Sequence, residues 1–164
     1  MSDAPPPRRS RRPANEPRAP EAGRLFQEDL LDEPFWMLVA CSLVNLTTWT
    51  AARPSLDWLR ARYVVPRVLA AADPADLHDA MRPLGLWRRR SISLVRLAQA
   101  WVLRPPHTAQ EVLKLPGCGR YAADSWAIFI EGLAPDVLPT DGKLQWYLQE
   151  LQHGRIRARR RLQP

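Results

Sequence analysis

The chain has 164 residues, of which 46% are hydrophobic, and this length is typical of a single domain with a substantial core. Its net charge of +7 is carried by the ends: residues 1–24 contribute +3, residues 153–164 contribute +5, and the body between them about −1. Such a body binds a polyanion only through local basic patches. No stretch has the apolar character of a secretory signal or membrane span, which predicts an intracellular protein without a membrane association.

Composition divides the chain into three parts. Residues 1–24 are rich in proline and arginine and lack apolar periodicity, which predicts a disordered tail. Residues 25–152 form the predicted folded domain, and residues 153–164 form a basic C-terminal tail. Arginine-rich tails have two explanations, solubility or targeting on one side and direct DNA contact on the other, and both stay open.

The body is predicted to be all-α. Apolar residues recur at helical spacing in seven segments, and none alternates with period two long enough for a strand. These segments begin near Pro34, Thr48, Asp73, Leu86, Thr108, Arg120 and Asp141. In the segment from Leu86 to Leu103, Ile92, Val95, Leu97 and Trp101 are predicted to face inward. Thr108 and Glu111 fit a capping box for a helix that runs to Leu115.

A Pro-Gly-x-Gly turn at residues 116–119 separates two of these helices and predicts a helix-hairpin-helix. Gly117 and Gly119 can take positive φ and carry no Cβ, so that backbone N–H groups around Cys118 can approach a phosphate at the mouth of the next helix. Arg120 would add a charged donor there. The alternative is an ordinary αα-turn with a glycine cap. Cys118 and Cys41 are far apart and lack neighbouring ligands, so no disulfide, zinc site or other metal site is predicted.

Asp141 stands at the start of the last helix, about twenty residues after the hairpin. By itself an aspartate there is an N-cap. The combination of hairpin and aspartate, however, resembles the helix-hairpin-helix DNA glycosylase superfamily. Residues 26 to about 150 resemble the catalytic domain of thymine and uracil DNA glycosylases of the methyl-CpG-binding-domain protein 4 type. The similar stretches are FQEDLLDEPFWMLVA, NLTT, RPLGLWRRR, LPGCGRYAADSWAIF and TDGKLQWYL.

This resemblance implies roles for individual residues. Asp141 corresponds to the catalytic aspartate, Tyr121 and Gln27 to residues that hold a flipped base, and Leu86 to a wedge inserted into the DNA stack. Three arginines after the wedge, Arg88, Arg89 and Arg90, are expected to grip the DNA backbone. The implied enzyme excises thymine or uracil opposite guanine in base excision repair. It is expected to act as a monomer on double-stranded DNA, in the nucleus if the host is eukaryotic.

The chain departs from its relatives at several places. Leu46 occupies the position of a DNA-inserting arginine in mammalian members, and residues 1–24 are too short to contain a methyl-CpG-binding domain. The four cysteines of an iron–sulfur loop are absent, so no cofactor is implied except a monovalent cation held by hairpin carbonyls. Strand-cutting members carry a lysine where Tyr121 stands. The two lysines here are Lys114 and Lys143, and Lys143 is expected to point away from the pocket, which predicts no strong lyase activity.

Two alternative functions stay open at this point. The first is a non-catalytic helix-hairpin-helix module that binds DNA and uses Asp141 only as a cap. The second is a basic-tailed adaptor for protein partners, which would leave the hairpin unexplained.

Overall fold

The computed structural model describes residue 17, residues 19–20 and residues 23–158. Almost all of the predicted N-terminal tail and the last six residues lie outside this range. Within it every regular element is helical, and no strand occurs among the described residues. The all-α prediction is therefore confirmed for the part of the chain that folds around the site.

The described residues form eight α-helices, with one short 3₁₀ segment before the first helix and three between later ones. The α-helices are α1 (Pro34–Leu43), α2 (Trp49–Arg62), α3 (Pro66–Ala70), α4 (His78–Met81), α5 (Trp87–Leu103), α6 (Ala109–Val112), α7 (Arg120–Phe129) and α8 (Gly142–Gln152). The 3₁₀ segments are Phe26–Asp29, Pro74–Leu77, Arg82–Leu84 and Ala134–Asp136.

Helix α1 is the centre of the packing. Every residue from Phe35 to Leu43 is buried, because α2, α5 and α7 all pack against this helix. Such all-round burial is what a core element needs. Helix α7 is likewise buried from Ala122 to Phe129, whereas α2 and α5 bury one stripe each. The hairpin helices α6 and α7 pack against each other and are anchored to the core through α7.

Side-chain caps fix several helix starts as predicted. Thr48 accepts from the N–H of Ala51, Asp73 from that of Ala75, and Thr108 from that of Glu111. The capping box at Thr108 is only half formed, because the Glu111 carboxylate accepts from the N–H of His107 instead. Helix α6 also ends at Val112 rather than at Leu115, where the chain already turns into the hairpin loop.

The inward face of α5 differs from the prediction at one residue. Val95 and Leu97 are buried and Trp101 packs partly against the core, but Ile92 is exposed. The stripe that faces the core includes Arg90, Ser91, Leu94 and Ala98. Ile92 follows directly after Ser91 but lies outside that stripe. The polar residues Arg90 and Ser91 therefore occupy the inward positions in this turn, where the apolar pattern predicted Ile92.

Candidate active site

A cavity of about 630 Å³ opens where four parts of the fold meet. These are the chain before and within the first 3₁₀ segment, the α1–α2 loop, the hairpin, and the N-terminus of α8. Its wall is mixed, with apolar, polar and charged side chains. The lining residues include Pro20, Arg24, Phe26, Cys41, Asn45, Leu46, Trp49, Gly117, Gly119, Arg120, Tyr121, Asp141 and Lys143. A volume of this size is typical of small-molecule sites.

Asp141 lines the cavity and also caps α8. Its Oδ1 accepts hydrogen bonds from the backbone N–H groups of Lys143 at 2.9 Å and Leu144 at 3.0 Å. Its Oδ2 accepts no hydrogen bond from any described residue. The N-cap interpretation and the catalytic one are therefore compatible, since the cap holds the carboxylate by one oxygen at the cavity wall.

Tyr121 and Gln27 are in contact, as the resemblance predicted. The Gln27 side chain is fully buried, and its Nε2 donates to the Tyr121 hydroxyl at 2.8 Å and to Ser125 Oγ at 3.0 Å. Tyr121 lines the cavity, whereas Gln27 stands behind it. Ser125 was missed from the sequence, although its place one turn after Tyr121 on α7 is the signal that could have found it. The Gln27 Oε1 has no hydrogen-bond partner among the described residues.

Burial keeps two titratable groups of this wall, Tyr121 and Cys41, neutral. Burial, followed by the neighbouring Cys41 thiol and Asp141 carboxylate, raises the pKa of Tyr121 well above its usual value. Burial likewise raises the pKa of the Cys41 thiol, although a hydrogen bond with Ser125 opposes the rise. At neutral pH the tyrosine is therefore a hydroxyl that can donate, and negative charge in this part of the wall belongs to Asp141.

The hairpin loop is held closely against the core. Gly117 has φ of +74°, and a Cβ there would lie 3.1 Å from Ser42 Oγ and 3.2 Å from Ser93 Cβ. Glycine is thus favoured by conformation, and an added Cβ would also displace the two serine side chains by a few tenths of an ångström. Gly119 does not use this freedom, because its φ is −125°. The Cys118 N–H donates to the Leu115 carbonyl, and burial raises the pKa of its thiol to about 12.

Arg120 lies at the start of α7, where the hairpin meets the cavity. Its Nε donates to Asp124 Oδ1 at 2.7 Å and its Nη2 to the Leu138 carbonyl at 3.3 Å, while the side chain stays 60% exposed. Contact with a phosphate remains a prediction for this residue.

Two leucines project from neighbouring loops into solvent in the left-handed backbone region. Leu86 is the residue before α5, with φ of +49° and 55% exposure. Leu46 borders the cavity in the α1–α2 loop, with φ of +62° and 84% exposure. This conformation costs a residue with a Cβ about 1–2 kcal/mol, so the exposure of two such leucines calls for a functional explanation.

The three arginines after Leu86 separate into two groups. Arg88 and Arg89 are exposed, and the Arg88 guanidinium stacks on the Trp87 ring at 4.6 Å. The prediction that Arg90 grips the DNA backbone is wrong. Its side chain is buried, with 6% exposure, and donates to five main-chain carbonyls, so no donor is left for a phosphate.

Lys143, which the sequence predicts to point away from the pocket, belongs to the cavity wall, and the direction of its amine stays a prediction. The cavity extends around the first turn of α8, so Lys143 lines it together with Asp141.

Among the described residues, no group of three or more His, Cys, Asp and Glu side chains could hold a metal ion. A four-cysteine cluster does not fit these 164 residues, which contain two cysteines. None of the described helices is long and apolar enough to span a membrane.

The fold and site define a helix-hairpin-helix protein with an aspartate at a cavity beside the hairpin, and comparisons with known proteins agree. No protein-family model matches the chain. It is 30% identical over 141 residues to the methyl-CpG-binding domain protein 4-like protein of Arabidopsis thaliana. It is 31% identical over 96 residues to endonuclease III of Thermotoga maritima, and 30% over 95 residues to thymine-DNA glycosylase of Aeropyrum pernix.

The three alignments cover 83%, 56% and 56% of the chain but only 29%, 45% and 43% of these relatives. Solved structures have the same fold. An endonuclease III–DNA complex matches 60% of the chain and 48% of its own, with a TM-score of 0.56 and 24% identity. The 3-methyladenine DNA glycosylase of H. pylori matches 79% of this chain and 84% of its own chain, with a TM-score of 0.51 and 15% sequence identity. The chain belongs to the helix-hairpin-helix DNA glycosylase superfamily.

Proposed function

We propose that the protein is a DNA glycosylase of base excision repair that removes uracil or thymine mispaired with guanine. The observation that carries this proposal is that Asp141 and Tyr121 line one cavity beside the hairpin. The cavity holds a carboxylate for a sugar that becomes positively charged, and a neutral hydroxyl for the base. The relatives named methyl-CpG-binding domain protein 4-like protein and thymine-DNA glycosylase support a DNA glycosylase, and the second name also supports thymine as a substrate.

The reaction begins with a nucleotide leaving the stack, because C1′ cannot be reached inside a duplex. Unstacking costs a few kcal/mol and is cheapest where pairing is already poor, so mispairs are favoured substrates. Leu86, exposed and adjacent to Arg88 and Arg89, is the proposed wedge that fills the gap. The two arginines and the hairpin main chain are the proposed phosphate contacts, with Arg120 beside them.

In the cavity the base meets Tyr121. Its hydroxyl accepts from Gln27 Nε2, which leaves the phenolic proton to donate to a pyrimidine carbonyl. As the N-glycosidic bond breaks, positive charge develops on the sugar. The Asp141 carboxylate stabilises that charge and orients or deprotonates the attacking water, while its cap hydrogen bonds fix its position.

We further propose that the enzyme stops at the abasic site. The position that carries the strand-cutting lysine in other branches is Tyr121, which cannot form a Schiff base. The protein is also proposed to act as a monomer inside the cell, in the nucleus if the host is eukaryotic, without a resident cofactor. A monovalent cation at the hairpin stays a prediction.

The test uses labelled duplexes that differ in one base pair. The protein is incubated with U:G, T:G, U:A and T:A duplexes, and abasic sites are then cleaved with alkali. We expect product from the two mismatches and little from the matched pairs. Binding to every duplex without product would refute the enzyme and favour the DNA-binding module, in which the two cap hydrogen bonds of Asp141 are its whole role.

A further inference from the structure

Arg90 joins two loops that are distant in sequence. Its Nε donates to the Gly85 carbonyl at 2.9 Å, and its Nη2 reaches Leu84 at 3.3 Å. Its Nη1 donates to Ser42 at 3.0 Å and Leu43 at 3.2 Å, and Nη2 also donates to Asn45 at 2.6 Å. All five N–H donors of the guanidinium are thus used, two on the chain before α5 and three on the end of α1 and the following loop.

The charge of Arg90 is balanced by main-chain groups. No carboxylate of the described residues forms an ion pair with it. Ser42 and Leu43 are the last two residues of α1, where carbonyls lack intrahelical partners and the helix dipole is negative. The guanidinium therefore caps α1 and fastens that cap to the loop before α5. A planar group with five donors is needed for this geometry.

Each of the two joined loops carries one of the exposed left-handed leucines. Leu46 follows Asn45 directly, and Leu86 follows Gly85 directly. Both neighbours accept a hydrogen bond from Arg90. A left-handed conformation of a bulky residue persists only where the surrounding structure holds it. Arg90 is the group that holds the main chain at both places.

We propose that Arg90 is a positioning residue that keeps Leu46 and Leu86 at a fixed separation, so that both enter the duplex together when a nucleotide leaves the stack. This inference rests on the proposed function. A rigid pair enters the DNA without first being ordered, so less binding energy is lost to conformational entropy. Two leucines also replace the stacking of an extruded base without reading its partner by hydrogen bonds.

The test is a double-mutant cycle on DNA recognition. Arg90→Met and Arg90→Lys are each made in the native chain and in the Leu46→Ala/Leu86→Ala chain. Fluorescence anisotropy gives the affinity for a duplex with a tetrahydrofuran abasic analogue opposite guanine, relative to the fully paired duplex. Single-turnover excision from U:G duplex is measured in parallel. Leu97→Ala, a buried change on the same helix, controls for lost stability.

In the native chain we expect Arg90→Met to lower the preference for the abasic-analogue duplex about tenfold. In the double-alanine chain the same substitution should lower that preference less than about twofold, because the effects of coupled residues are non-additive. Arg90→Lys, with three donors at most, should give the same pattern and serves if the methionine variant does not fold. Leu97→Ala should lower the melting temperature and leave the preference unchanged.

Three results would overturn the inference. One is an equal loss from Arg90→Met in both backgrounds, another is an equal loss of preference in Leu97→Ala, and the third is a native protein without preference for the abasic analogue. A protein that shows the coupling in binding but excises nothing supports the inference and refutes the proposed function, so the two failures are distinguishable.

Discussion

Asp141→Asn separates the two roles that the structure gives to this side chain. Asparagine keeps an oxygen that can accept from the N–H groups of Lys143 and Leu144, and it is as good an N-cap as aspartate. The lost stabilisation is then the charge–dipole interaction, about 0.3–1 kcal/mol, or a fall in melting temperature of at most about 4 °C. Loss of the catalytic group should slow excision by about 10²–10⁴-fold, which is roughly 3–5 kcal/mol in the barrier.

The assay is single-turnover excision from U:G duplex, with thermal unfolding measured on the same samples. Asp141→Ala should be as slow as the asparagine variant but lose about 1 kcal/mol more stability, because the cap is gone. Asp73→Asn changes another capping aspartate, whose carboxylate accepts from Ala75, and should leave excision unchanged. An asparagine variant within about twofold of the native rate would refute the catalytic role and leave Asp141 as a cap.

Three further predictions concern the cavity and its neighbours. Tyr121→Phe removes the hydroxyl between Gln27 and the base. It should lower kcat/KM for U:G excision about tenfold, since the buried Gln27 Nε2 loses an acceptor and the base loses a donor. An unchanged kcat/KM would contradict the contact between Tyr121 and the base. Borohydride added during turnover should trap no covalent adduct, although Lys143 lines the cavity; an adduct that disappears in Lys143→Gln would show lyase chemistry. The raised pKa of Cys118, about 12 in the folded state, contributes stability that is complete below the ordinary thiol value of 9.0 and is lost above it. The free energy of unfolding should therefore fall between pH 9 and 11, less steeply in Cys118→Ala, and equal slopes would refute this.

Helix starts were predictable because a cap is decided within three residues of sequence. The side chains of Thr48, Asp73, Thr108 and Asp141 all accept from the N–H groups that their positions imply. The end of α6 was not predictable in this way. It depends on where the hairpin loop packs against α1 and α5, as the close approach of Gly117 to Ser42 and Ser93 shows.

The site was predictable where chemistry follows from one residue and its neighbours in sequence. The resemblance brought Asp141, Tyr121 and Gln27 together, and the structure places Asp141 and Tyr121 at one cavity, with Gln27 directly behind. It failed at Arg90, because a run of three arginines does not show which one faces inward. The carbonyls that satisfy Arg90 include three that lie 45–48 residues earlier in the chain, and no local pattern reveals them.

Under the proposed function, discrimination between mispaired and paired nucleotides arises when the nucleotide leaves the stack, before its base reaches the cavity. A volume of about 630 Å³ lies well within the range of sites for drug-sized ligands, so size alone does not exclude a purine. Burial keeps Tyr121 and Cys41 neutral at physiological pH, so these two groups offer a base hydrogen bonding without charge selection. The cost of extrusion, in contrast, differs between paired and mispaired nucleotides by its nature. Two exposed leucines held by a buried arginine act at that step, and Asp141 then acts on whichever sugar has been brought to it.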